Sequence, residues 1–134
     1  MDLHFRPMRL HSRIQETPDT FTQNFVPLDG KPFVNRPGQF TVVKVGETGV
    51  CRPYTVSSTH GISEFVTTTV CRVPGGCASN WITTVPVGST VHLAEPMGDF
   101  TCDDDPMEKF LLMASGSGIT PILSMTRWLL VHKP

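Results

Sequence analysis

The sequence contains no long hydrophobic run, and this excludes a membrane-spanning helix. A helix that crosses a bilayer needs about 20 consecutive apolar residues, and no run of that length occurs among the 134 residues. Residues 1–10 also lack the apolar core of a signal peptide. We therefore expect a cytoplasmic protein with no membrane partner.

Excess positive charge is also absent, and Tyr and Trp are few. The formal net charge is −1, with one Tyr and two Trp. Proteins that bind nucleic acid present a basic surface to the phosphates, and those that bind single strands add aromatic platforms for the bases. We expect no nucleic-acid partner.

Cysteine pairs with metal-ligand spacing are missing too. The four cysteines are Cys51, Cys71, Cys77 and Cys102, and none forms a Cys-x-x-Cys pair or stands near histidines at zinc-like spacing. The composition therefore predicts reduced, structural thiols and no metal site.

Short β-compatible runs fill the chain up to about residue 94, separated by Pro, Gly, Asn and Asp. Dense Thr and Val favour strands over helices, and the separators have turn chemistry. Six such runs with close turns predict an all-β, antiparallel barrel or sandwich. The predicted strands are Arg9–Glu16, Thr20–Pro27, Gln39–Val45, Cys51–Ser57, Glu64–Val73 and Thr90–Ala94.

One short helix interrupts the strands. Ser79 is a candidate N-cap for a helix over residues 80–83, which Pro86 ends. The preceding residues form a Gly76-Cys77-Ala78-Ser79 turn, in which glycine admits close backbone approach and the helix start favours an anion. A plain turn and cap is the alternative interpretation.

The pattern changes after Asp105. Lys109–Ala114 is a continuous apolar run, typical of a strand buried in a parallel sheet. A glycine turn follows, then Thr120 as N-cap and a helix over Pro121–Val131. We interpret residues 106–134 as the first strand and helix of a truncated α/β NAD(P)-binding domain, after a domain over residues 1–105. We expect the amides of this helix to exchange rapidly, because its sheet is missing.

The segment Arg52-Pro53-Tyr54-Thr55 carries the strongest chemical signal. Positions i and i+2 of a strand face the same side, about 7 Å apart, so a guanidinium and an aromatic ring would face one ligand. Guanidinium binds phosphate bidentately, and an aromatic ring stacks on a flat heterocycle. The alternative is a surface ion pair of Arg52 beside a half-buried Tyr54.

These segments, in this order, resemble the ferredoxin–NADP reductase-like superfamily. A third segment, after Arg52–Thr55 and Gly76–Ser79, also matches: Gly116-Ser117-Gly118-Ile119-Thr120-Pro121. In it, Pro121 takes the place of the third glycine of the Rossmann fingerprint. The resemblance implies a six-stranded antiparallel Greek-key FAD-binding barrel with one short helix. Further matching segments are Arg36–Phe40, Val70–Val73 and Glu95–Phe100.

The resemblance also implies roles for particular residues. Arg52 and the turn starting at Gly76 would hold the FAD pyrophosphate, Tyr54 would face the isoalloxazine, and Thr55 and Thr120 would lie near the reacting ring. Cys71 replaces a common basic residue and puts a phosphate contact there in doubt. The implied cofactor-binding residues are Arg52, Pro53, Tyr54, Thr55, Val70, Arg72, Gly76, Cys77, Ala78, Ser79, Gly116, Gly118 and Thr120, with Thr55 and Thr120 as catalytic residues.

Within the superfamily, the chain resembles the NADH oxidoreductases that serve the hybrid cluster protein. The resemblance rests on residues 52–59, 97–104 and 109–112, above all the Phe-Thr-Cys-Asp-Asp stretch. It implies an enzyme that passes electrons from NADH through FAD to a 2Fe–2S centre, whose cysteines are not in this chain, and on to the hybrid cluster protein. A reductase of an oxygenase, nitric oxide or cytochrome system, or a non-enzymatic barrel module, stays open.

Overall fold

Six β-strands form one antiparallel sheet in the computed structural model, which describes residues 2–134. The strand order is β4-β3-β6-β1-β2-β5. The elements in chain order are β1 (Phe5–Gln15), β2 (Thr20–Pro27), β3 (Phe40–Lys44), β4 (Cys51–Thr55), β5 (Val66–Cys71), α1 (Cys77–Ile82), β6 (Thr90–Ala94), a 3₁₀ turn (Gly116–Gly118) and α2 (Ile119–His132).

The two outer strands of this order meet just beyond the end of β4. The Ser57 N–H donates to the Thr67 carbonyl at 2.9 Å, and the Thr67 N–H donates to the Ser58 hydroxyl at 2.9 Å. These bonds join the segment after β4 to β5 and close the sheet into a barrel. The predicted six-stranded antiparallel barrel is thereby confirmed.

Alternating side chains of the strands fill the barrel interior. On β2, Phe21, Gln23 and Phe25 are buried while their neighbours are partly exposed, as the two-residue period of a strand requires. The core contains residues from five strands, two loops and α1: Met8, Leu10, Phe25, Phe33, Val43, Val56, Val66, Val70, Ile82, Val91 and Leu93.

β1 begins earlier than predicted, at Phe5 rather than Arg9. Residues 5–9 pair with β6, and Pro7 lies opposite His92 in that ladder. Proline has no N–H to donate to a ladder and therefore argues against a strand in a sequence pattern. Pairing with β6, which is distant in sequence, therefore extends β1 to residues that the local pattern does not predict as strand.

Helix α1 also begins earlier than predicted, at Cys77 with Gly76 as N-cap. Ser79 lies inside the helix and is not its cap. Its hydroxyl instead accepts a 3.0 Å hydrogen bond from the Val73 N–H. The Ser79 side chain therefore fastens the helix to the segment after β5.

The predicted strand over Lys109–Ala114 does not form. No strand among residues 2–134 pairs with it, and a strand without a hydrogen-bonded neighbour is not a stable element. The segment is nevertheless two-faced: Phe110 and Leu112 pack against the α2 cluster, whereas Leu111 and Met113 are 86% and 79% exposed.

Helix α2 forms, with Gly118 and not Thr120 as its N-cap. Met125 and Leu129 are buried with Cys102, whereas Leu130 is 70% exposed. The helix is docked on the barrel, which differs from the expectation of an unsupported, rapidly exchanging segment. Neither helix within residues 2–134 has the length and hydropathy that crossing a bilayer requires.

Candidate functional site

A surface groove of about 430 Å³ lies between β4 and the start of α1. Its volume falls within the usual range for small-molecule sites, about 300–1,000 Å³. Two separate sequence motifs meet in it, from positions more than 20 residues apart. The lining residues are Arg52, Pro53, Tyr54, Val73, Gly76, Cys77, Ala78 and Ser79.

Arg52 presents an exposed guanidinium to this groove. Its one acceptor among residues 2–134 is the neighbouring Cys51 carbonyl, at 2.8 Å from Nη1. Among residues 2–134 no carboxylate oxygen lies within 4.0 Å of it. The alternative interpretation of Arg52 as half of a surface ion pair therefore does not hold, and most of its N–H groups remain available to an anion.

Tyr54 lies two residues further along the same strand, on the same groove. It is half-buried and packs against the barrel core. Burial raises the pKa of its phenol, and the nearby Arg52 charge partly opposes that shift. The ring is thus anchored along one edge, stays neutral at physiological pH, and leaves part of its surface for a ligand.

The turn before α1 completes the groove wall. A Cβ on Gly76 would lie 2.7 Å from the Ser79 hydroxyl and 3.0 Å from the Val73 carbonyl oxygen, so no larger residue fits without a shift. The Asn80 side chain donates to the same Val73 carbonyl at 2.9 Å and to the Gly76 carbonyl at 2.6 Å. These bonds hold the turn in one shape.

Sequence reasoning missed Val73 as a lining residue and Asn80 as the side chain that holds the turn. A signal for both was present, because Pro74-Gly75-Gly76 directly after Val73 predicts that the chain turns back toward the helix start. Asn is also a residue type that bonds nearby backbone in turns.

Three of the residues predicted before Asp105 lie outside this groove's lining. Val70 is 2% exposed, and its side chain belongs to the barrel core. The Arg72 guanidinium is bound to Thr83 and stacked 4.1 Å from the Phe21 ring centroid. Thr55 is half-buried at the end of β4.

The predicted residues after Asp105 lie elsewhere. Thr120 lines a second groove, of about 270 Å³, together with Ser57, Thr67 and Arg127. The Thr120 hydroxyl donates to the Ser117 carbonyl at 2.8 Å, inside the turn that holds Gly116 and Gly118. The Thr120 groove and the Arg52–Tyr54 groove share no lining residue.

A family model described as the oxidoreductase FAD-binding domain matches residues 7–102, which span the barrel and its groove. The chain belongs to this family. Its members bind FAD by the family's description.

Curated relatives of this FAD-binding domain are reductases. The chain is 45% identical over 129 residues to NADH oxidoreductase HCR of Escherichia coli (strain K12), covering 95% of the chain and 39% of that protein. It is 40% identical over 118 residues to a glycine betaine monooxygenase reductase subunit of Chromohalobacter salexigens, covering 86% of the chain and 32% of that protein. The chain thus spans between about a third and two fifths of the relatives' length.

Solved structures agree with this family membership. Phthalate dioxygenase reductase, described as a modular structure for electron transfer from pyridine nucleotides to a 2Fe–2S centre, matches with a TM-score of 0.82 and 27% identity. The match covers 95% of this chain and 40% of that one. The ferredoxin reductase of carbazole 1,9a-dioxygenase matches with a TM-score of 0.86 at 22% identity, which supports the fold alone.

Proposed function

We propose that the groove between β4 and α1 is the FAD site of this chain, with Arg52 on the pyrophosphate and Tyr54 against the isoalloxazine ring. The observation that carries the proposal is the pairing of an exposed guanidinium without a carboxylate partner and an anchored aromatic ring on one strand. A guanidinium suits a phosphate and a ring suits a flat heterocycle.

The remaining lining residues fit the same ligand. Cys77 and Ala78 stand at the start of α1, where the first N–H groups of a helix have no intrahelical acceptor. The Gly76 N–H donates to the Val73 carbonyl at 2.8 Å, so Gly76 contributes close backbone approach and not a free donor. The Ser79 hydroxyl already accepts the Val73 N–H, so we assign Ser79 to shaping the turn. Pro53 and Val73 contribute apolar surface to the groove.

Thr55 and Thr120 are proposed as the residues nearest the reacting part of the cofactors. Thr55 directly follows Tyr54 on β4, and Thr120 lies in the first turn of α2 beside Gly116 and Gly118. The N-terminal turn of α2 suits the phosphates of a pyridine nucleotide, so NADH is assigned to this turn. We propose a division into residues 1–105 for FAD and residues 106–134 as the start of the NAD(P)-binding domain.

The whole protein is proposed to be an NADH-dependent reductase. FAD, when bound, supplies the chemistry that accepts an electron pair and passes electrons on singly. The protein's residues place the cofactor and shield it. Similarity to NADH oxidoreductase HCR supports NADH as the electron donor, and similarity to phthalate dioxygenase reductase supports a 2Fe–2S centre as the next carrier. The hybrid cluster protein is proposed as the acceptor on the resemblance of residues 52–59, 97–104 and 109–112 alone. A cytoplasmic location belongs to the same proposal, since reduced thiols persist there.

An oxygenase reductase is the second candidate, because the glycine betaine monooxygenase reductase subunit is 40% identical. The two candidates differ in the acceptor. Purified hybrid cluster protein and a purified oxygenase component, offered separately with NADH to the protein that contains this chain, distinguish them. Faster reduction of the hybrid cluster protein supports the first candidate, and faster reduction of the oxygenase component supports the second.

Titration of the purified 134-residue protein with FAD, followed by flavin fluorescence, tests the site. We expect saturable binding of one FAD per chain, weakened by Arg52→Ala. Arg9→Ala is the matched control, because Arg9 is also exposed and on a strand but lies outside the groove lining. Absence of binding, or equal affinity for both variants, contradicts the proposal.

A further inference from the structure

Arg13 of β1 and Arg72, which directly follows β5, meet at the last turn of α1. Arg13 Nη2 donates to the Ile82 carbonyl at 3.0 Å and to the Val85 carbonyl. Arg72 Nη2 donates to the Thr83 carbonyl at 3.2 Å. The final carbonyls of a helix have no intrahelical donor and carry partial negative charge, so cations stabilise this end. The two guanidinium groups together hold the end of α1 against the barrel.

Arg72 also reaches the groove through a chain of two hydrogen bonds. Its Nε donates to the Thr83 hydroxyl at 2.7 Å, and that hydroxyl donates to the Ser79 carbonyl at 2.7 Å. Thr83 is 2% exposed and Ser79 is 7% exposed, so water does not compete for these bonds. Ser79 itself lines the groove.

The guanidinium groups of Arg13 and Arg72 both carry positive charge, and their mutual repulsion opposes this arrangement. Burial and the charge of Arg72 lower the pKa of Arg13 below its ordinary value. The Arg13 Nε is buried and has no acceptor within residues 2–134. Stacking of Arg72 on the Phe21 ring fixes the second guanidinium in place. Hydrogen bonds to backbone carbonyls and the contact with the Phe21 ring therefore hold both cations at the helix end. Within residues 2–134 neither cation has a carboxylate partner.

We propose that Arg72 and Thr83 are positioning residues of the FAD groove. They set the orientation of α1, so that the Gly76–Ser79 wall stands at a fixed separation from Arg52 and Tyr54. This assignment rests on the proposed FAD site and replaces the expected contact between Arg72 and FAD by an indirect role through Thr83 and Ser79.

Thr83→Val tests the chain of bonds, because valine keeps the shape of threonine and removes the hydroxyl. We expect FAD affinity to fall about tenfold, the size of one lost hydrogen bond to a charged group. Thr83→Ser restores the hydroxyl and is expected to recover most of the affinity. The matched control is Thr84→Val, because the Thr84 hydroxyl donates to the Asn80 and Trp81 carbonyls of α1 and to no other acceptor in residues 2–134.

Stability is separated from positioning by the choice of temperature. Affinities are measured well below the thermal midpoint of each apo-protein, where every variant is fully folded and a loss of stability alone leaves the Kd unchanged. The double variant Arg72→Ala/Thr83→Val completes a double-mutant cycle. If both residues act through the same chain of hydrogen bonds, the double variant binds FAD about as weakly as the weaker-binding single variant.

The possible outcomes separate this inference from the FAD site itself. If Arg52→Ala weakens FAD and Thr83→Val does so no more than Thr84→Val, the positioning role is wrong and the site stands. If Arg52→Ala has no effect, the site is wrong. Weak binding by Thr83→Val, recovery by Thr83→Ser and wild-type affinity for Thr84→Val together support the positioning role.

Discussion

The hydroxyl of Thr59 donates a 2.9 Å hydrogen bond to the carbonyl oxygen of Ser124, and the two residues are 1% and 0% exposed. The Ser124 hydroxyl in turn donates to the Ser58 carbonyl at 2.8 Å, and Arg127 donates to the Ser57 carbonyl at 2.6 Å. Residues 57–59 follow the strand that carries Arg52 and Tyr54, with Val56 between them. Helix α2 is therefore tied to the continuation of that strand by buried polar contacts.

Ser124→Ala is expected to loosen α2. It removes a donor to Ser58 and a neighbour of the Thr59 hydroxyl in a site closed to water, which costs about 1–3 kcal/mol of unfolding free energy. Chemical denaturation measures the loss, and hydrogen exchange of the α2 amides locates it. Thr126→Ala is the control, because the Thr126 hydroxyl bonds to Ile122 within the same helix. Unchanged α2 exchange in Ser124→Ala would refute the docking account.

Acid stability is expected to depend on Asp29. The Arg6 guanidinium, at 2.8 and 2.9 Å, lowers the pKa of this carboxyl from 3.8 to about 2. A carboxyl with a depressed pKa stabilises the fold fully above its ordinary pKa, and this contribution disappears as pH falls toward the folded value. The relevant window therefore runs from pH 3.8 down to about 2.

Asp29→Asn isolates that contribution. We expect the variant to have a lower thermal midpoint than wild type at neutral pH, and the difference to shrink as the solution is acidified through the window. Asp99→Asn is the control, because Asp99 has no cationic partner within 4.0 Å among residues 2–134. A constant difference between Asp29→Asn and wild type at every pH is the contrary result.

Thiol labelling is expected to distinguish the cysteines. Cys77 is exposed in the proposed FAD groove, Cys71 is exposed outside its lining, and Cys102 is buried. Burial raises the pKa of the Cys102 thiol, which further slows its reaction. With a small alkylating reagent and mass spectrometry, FAD should slow labelling of Cys77 and leave the rate at Cys71 unchanged. Equal rates at Cys77 with and without FAD argue against ligand in this groove.

Local patterns predict the strands well where neighbouring residues decide the structure. The predicted bounds of Thr20–Pro27 and Thr90–Ala94 coincide with β2 and β6, because β-branched and aromatic runs between turn residues favour an extended chain. The joint position of Arg52 and Tyr54 on one groove also follows from the two-residue period of a strand.

The residues whose observed roles differ from the prediction, or were not predicted, are those whose hydrogen-bond partners are set by the fold. Ser79 has the chemistry of a helix cap, but its hydroxyl is bound by the Val73 N–H. Arg72 is adjacent to a motif typical of phosphate binding, but Thr83 and Phe21 hold it. Arg13 contacts α1 from about 70 residues away. No local pattern specifies which of several possible acceptors a side chain meets, so these roles require the fold.

The most direct measurement is a crystal structure of the protein with FAD. The account predicts the pyrophosphate within hydrogen-bond distance of the Arg52 guanidinium and the isoalloxazine ring stacked on Tyr54, in the groove beside Gly76. FAD at another surface, or in this groove with its phosphates remote from Arg52, would contradict it.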